Sequence, residues 1–111
     1  MCPSRTAKWT IAVLLVTMLP VMAAGRAAAA EDVDRGLALA RQWCVSCHQV
    51  EPGSAASDAA PPFATIANDP AVTEGGLRAW LSDPHPPMPN FNLSRGEIDD
   101  IVAYLNSLLW D

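Results

Sequence analysis

The sequence predicts an all-α domain of three to four helices joined by long loops. No stretch alternates apolar and polar residues as a half-buried strand would. Apolar residues instead recur three and four apart in short stretches, most clearly from Ile98 to Leu109. Between these stretches lie segments dense in Pro, Gly, Ser and Asn, which interrupt regular structure.

The 111-residue chain opens on what reads as an export signal. Arg5 and Lys8 give it a positive start, and "WTIAVLLVTMLPVMAA" from Trp9 to Ala24 is apolar. "GRAAAA" then puts Ala28 and Ala30 at the small-residue positions that a signal peptidase needs. Residues 1–30 are therefore expected to be a signal peptide cut after Ala30, with residues 31–111 as the domain. The alternative is an uncleaved membrane anchor. The apolar run is short for a span, and Pro20 and Gly25 interrupt it.

Within the domain the spacing predicts a first helix over about Val33 to Trp43. Asp32 is its cap, Asp34 suits its first turn, and Val33, Leu37, Ala40 and Cys44 share a face. The stretch "QVEPGSAASDAAPP" is a loop, followed by a short helical turn from Phe63 to Ala67. A second full helix is expected over Glu74 to Ser82, capped by Thr73, with Leu77, Trp80 and Leu81 apolar and Pro84 ending it. Residues 84–92 form a proline-stiffened loop. Ser94 and Glu97 make a capping box for the last helix, and Asp99 and Asp100 favour its dipole. Its apolar face is Ile98, Ile101, Val102, Leu105, Leu108 and Leu109.

Residues 31–111 hold four arginines and no lysine against all twelve carboxylates, a net charge of −8. That is a poor nucleic-acid binder, and it favours basic or neutral protein partners. A domain this small builds a marginal core and usually needs a staple. Its two cysteines, Cys44 and Cys47, would close too small a loop to serve as one.

The cysteines lie in "CVSCH", which fits C-x-x-C-H, the attachment signal for a c-type haem. On a helical turn residues three and four apart share a face. Cys44 and Cys47 can then each bond one haem vinyl group while His48 meets the iron, and the ring supplies the missing core. A redox dithiol would need a strand and a βαβ setting, and neither is legible. A zinc site needs about four ligands, and beyond the motif only His85 and carboxylates are on offer. For the sixth iron ligand Met88 is the one methionine outside residues 1–30, set between Pro87 and Pro89. His85 is its rival, and plain packing of Met88 is the remaining alternative.

In these motifs the chain resembles the class I (monohaem) cytochromes c of the small bacterial type. The likeness covers nearly all of residues 33–109. It rests on the glycine-bearing first helix, "CVSCH", "PPF", "PPMP" and the final "IVAYL" helix. It implies that the first and last helices cross at Gly36 and Tyr104. It also implies that a proline carbonyl accepts the N–H of His48, with Pro61 the better match and Pro62 the weaker. Phe63 would pack on the porphyrin. Trp80 reads as core by its spacing, and by resemblance could donate its indole N–H to a haem propionate. The family has an aromatic residue where this chain has Ala40, so the crossing either closes up or leans on Trp43.

Two axial ligands leave the iron no open position. The expectation is a periplasmic one-electron carrier and not an enzyme. Its partners would be a dehydrogenase or reductase as donor and an oxidase or another cytochrome as acceptor. Val45, Pro87 and Pro89 are the candidate contacts at the haem edge. A tight haem subunit of a dehydrogenase complex is the alternative in partner. A small peroxidase or a gas sensor, either with an open iron, is the alternative in chemistry.

Overall fold

The structure is a computed structural model that describes residues 25, 28–30, 32–55, 59–84 and 86–110. The chain divides into two units, Met1–Ala30 and Glu31–Asp111. Most of the expected signal peptide lies outside the described residues, as does His85. The second unit is helical, with no strand among the described residues. Helix α1 covers residues 32–43, α2 Phe63–Ala67, α3 Glu74–Ser82 and α4 Arg95–Ser107.

The caps follow local chemistry. Thr73 Oγ1 accepts the Gly76 N–H at 3.0 Å and starts α3. In α4 the Ser94 hydroxyl accepts from Glu97 N–H, while the Glu97 carboxylate accepts the Ser94 N–H at 2.8 Å. Those bonds from Ser94 hold the Glu97 carboxyl below its usual range. Asp32 does not cap α1 as expected. It is itself helical, and its carboxylate pairs with Arg35 one turn on.

Helices α1 and α4 meet at Gly36. A Cβ built there would lie 2.0 Å from the Asp100 carbonyl oxygen and 2.7 Å from Tyr104 Cβ. Only glycine admits that approach. Ala40, one turn further along α1, is fully buried, so small residues on α1 set the close packing. Trp43 turns to Phe91, with ring centroids 5.5 Å apart.

The core gathers Ala40, Val50, Phe63, Ile101, Tyr104 and Leu105. The Tyr104 hydroxyl donates to the Val50 carbonyl at 2.7 Å, so the polar tip of this buried ring is satisfied. Asn68, at the end of α2, donates to Ala64 O at 2.8 Å and Leu108 O at 2.9 Å, and it accepts the Trp110 N–H at 2.8 Å. It thereby pins the segment after α4. Because α4 stops at Ser107, Leu109 leaves the apolar face expected of it and is 54 % exposed.

Helix α3 contributes no buried residue. Leu77 and Leu81 are half-buried, and Trp80 is 59 % exposed. The reading of Trp80 as core is therefore corrected. Its apolar face forms the wall of a cavity instead. Arg78 pairs with Glu74 of its own helix at 2.8 Å and ties α3 to α4 by pairing with Asp99. Such exposed pairs add little stability each.

Candidate functional site

The cavity encloses about 740 Å³ between α2, α3, α4, the turn after α1 and the loop before α4. That volume falls within the roughly 300–1,000 Å³ of small-molecule and cofactor sites. Its walls are mainly apolar, with Ile66, Leu77, Leu81, Ile101 and Leu105 among them.

The motif sits where α1 runs out. The Cys44 N–H bonds the Ala40 carbonyl at 2.8 Å, which carries the helix on. The N–H groups of Cys47 and His48 both reach the Cys44 carbonyl, at 3.1 and 2.9 Å. One turn thus holds all three side chains, and all three line the cavity. Cys44 is buried and Cys47 exposed, and they are not joined to each other. Burial pushes the Cys44 thiol up to about 11. A thiol held protonated in this way is the reverse of the activated thiolate that redox dithiols need. Among the described residues no three His, Cys, Asp or Glu side chains gather as a metal cluster.

His48 is oriented from behind. Its Nδ1 lies 2.7 Å from the Pro61 carbonyl oxygen. A carbonyl only accepts, so Nδ1 carries the proton and Nε2 keeps the lone pair. Phe63, 5 % exposed, stands edge-on to the imidazole at 5.2 Å and backs onto Tyr104 at 6.4 Å. The Phe63 N–H bonds the Gln49 carbonyl at 2.9 Å, so the strip bearing Pro61 is tied beside the motif.

The loop after His48 is held in turn by α1 and α4. Arg41 grips the Glu51 carboxylate through two bonds, at 2.7 and 2.6 Å, and Tyr104 holds Val50. The Arg41 guanidinium keeps Glu51 below the usual carboxylate range. Gly53 turns the loop at φ 80°, a left-handed conformation suited to glycine.

Met88 is half-buried between the exposed Pro87 and Pro89, and all three line the same cavity. The loop returns to α4 through Asn92, left-handed at φ 51°, whose N–H bonds Asn90 Oδ1 at 2.7 Å. Asparagine tolerates that conformation because its short side chain bonds locally. Trp80 also lines the cavity. All seven candidate site residues, Cys44, Cys47, His48, Pro61, Phe63, Met88 and Trp80, therefore meet around one space. Sequence reasoning missed the Arg41–Glu51 grip and the pairing of Trp43 with Phe91. The one available signal was an isolated aromatic, Phe91, in a loop of Pro and Asn.

A haem fits this donor set. Two thiols and an imidazole share one turn, a thioether lines the same cavity, and Leu77, Trp80 and Leu81 of α3 turn to it without any of them being fully buried. A flat apolar ring would cover that face.

A family model described as cytochrome c oxidase, cbb3-type, subunit III, matches residues 31–105. Cytochrome c-552 of Bradyrhizobium diazoefficiens is 45 % identical over 92 residues, which are 82 % of this chain and 88 % of that protein. No solved structure matches the chain significantly. Similarity of that extent over most of both proteins reflects common descent, and the chain belongs to the monohaem cytochromes c, haem-based electron carriers whose c-type haem is covalently attached.

Proposed function

We propose that this cytochrome is an exported carrier of single electrons, its haem bonded through Cys44 and Cys47 and held between His48 and Met88. The observation that carries the reading is that one cavity gathers all four side chains, with the His48 proton already tied to Pro61. The bound haem supplies the Fe(III)/Fe(II) couple. The Pro61 carbonyl fixes the imidazole plane and raises the basicity of Nε2. The Met88 thioether is a soft donor that favours the ferrous state, and Met/His ligation raises the potential. Apolar walls exclude water, which also disfavours the more charged form. Prolines around Met88 leave the chain little to rearrange when an electron arrives.

Export is supported by agreement between the expected cut after Ala30 and the family match, which begins at residue 31. Among the described residues no helix is long and apolar enough to cross a membrane. If His48 and Met88 both hold the iron, cyanide and carbon monoxide should bind the purified holoprotein only slowly. Rapid binding without displacement of Met88 would sink the reading in favour of a peroxidase or gas sensor. A second reading, a haem subunit of a larger redox complex, draws on the oxidase-subunit description of the family model. Stable co-purification with a larger complex favours that reading.

Partner choice follows from charge. Three of the four arginines in residues 31–111 are already engaged: Arg35 with Asp100, Arg41 with Glu51, and Arg78 with Glu74 and Asp99. The acidic surface therefore favours a partner with a basic or neutral patch. Val45, 54 % exposed, and the exposed Pro87 and Pro89 offer it apolar contacts. Charge steers the encounter more than it prolongs it. The bimolecular electron-transfer rate with a basic partner should fall as salt rises. A faster reaction with an acidic partner at low salt would contradict this.

A further inference from the structure

We infer that Trp43 and Phe91 act as an aromatic latch that positions Met88, so that retention of the thioether depends on two rings outside the ligand set. The inference rests on the proposed His48 and Met88 ligation. The Met88 loop leaves α3 after Ser82 and rejoins the helical frame at the Ser94 cap. Pro86, Pro87 and Pro89 stiffen it but lack the N–H groups that could anchor it. The Asn92 to Asn90 bond shapes the loop locally and reaches no other element.

Phe91 does reach one. It lies three residues beyond Met88 and meets Trp43, the residue next to Cys44. The ring centroids are 5.5 Å apart with the planes tilted by 36°, inside the separation range where aromatic pairs attract. Both rings line the cavity. The contact thus joins the segment carrying Met88 to the segment carrying Cys44 and His48, across a long sequence separation. Trp43 remains 39 % exposed, so water can compete for the pair once it opens.

An external ligand binds iron only in the fraction of molecules in which Met88 has withdrawn, and its apparent affinity scales with that fraction. Loss of an aromatic pair should raise the fraction by roughly two- to tenfold.

The test titrates ferric holoprotein with imidazole and follows the near-infrared thioether-to-iron band. Trp43→Ala should raise imidazole affinity by roughly two- to tenfold and weaken the band, by the size of an aromatic pair. Trp43→Phe should restore both. Val102→Ala removes core packing away from the cavity wall and should lower the denaturation midpoint without changing imidazole affinity. Should Trp43→Ala not accumulate with haem, Phe91→Leu makes the same test from the other ring. Wild-type affinity in Trp43→Ala, or in Phe91→Leu, overturns the latch, and so does an equal gain in Val102→Ala. If Met88→Ala itself gains no imidazole affinity, the ligand assignment fails instead, and the two failures are told apart.

Discussion

Gly36→Ala is expected to leave little stable holoprotein. The added methyl would sit 2.0 Å from the Asp100 carbonyl oxygen and 2.6 Å from its carbonyl carbon. These are backbone atoms of α4 and cannot rotate aside. Helices α1 and α4 must separate by more than 1 Å to reach ordinary contact, by the general demands of close packing. Separation would loosen Ala40 against Ile101 and Leu105, and would strain the Tyr104 bond to Val50 that holds the loop after His48. Overpacking a core typically costs about 1–3 kcal/mol, and a clash with backbone belongs at or beyond the top of that range. A small domain has only about 5–15 kcal/mol in total. Chemical denaturation should show a loss of about 3 kcal/mol or more. Gly96→Ala, where nothing lies within 4 Å of the added carbon, should be neutral or gain up to about 1 kcal/mol. Equal stability of Gly36→Ala and the parent would mean that the two helices do not meet at this glycine.

What was legible in the sequence was local. Thr73 and the Ser94–Glu97 box announce their helices because a cap and the N–H it satisfies lie three residues apart. Cys44, Cys47 and His48 could be put on one face because a single helical turn fixes their relation. Apolar spacing, in contrast, names a face but not what covers it. Leu77, Trp80 and Leu81 share a face as their spacing says, yet only Leu77 and Leu81 pack against the core, and all three line a cavity. Leu109 kept the period of α4, but the helix ended two residues earlier. Asn68 reaches Leu108 across 40 residues, and Trp43 finds Phe91 only once the chain is folded. No residue pattern near either position encodes such a partner. Arg41 and Glu51, ten residues apart across a turn, likewise fall outside the helical i,i+4 rule.

Met88→Ala is expected to change the chemistry of the protein without unfolding it. The side chain is half-buried in a loop, not in the core, and Cys44, Cys47 and His48 would still hold the haem on their turn. On the proposed ligation, what would disappear is a soft donor that favours the ferrous state. The potential should therefore fall, by on the order of 0.1 V or more within the roughly 0.8 V that axial ligation spans. The vacated position should accept cyanide or imidazole readily, whereas the parent should resist both. His85→Ala should do neither if Met88 is the ligand. Potentiometric titration, ligand binding and the near-infrared thioether band, measured on both variants, separate the possibilities. Haem should remain attached after denaturation in each, since the proposed thioether bonds through the two cysteines would be untouched, so a fall in potential could not be ascribed to haem loss. If His85→Ala shifts the potential and the spectrum while Met88→Ala leaves them unchanged, the imidazole of His85 is the sixth ligand. Met88 would then be a packing residue, and the iron would carry two nitrogen donors with a correspondingly lower potential.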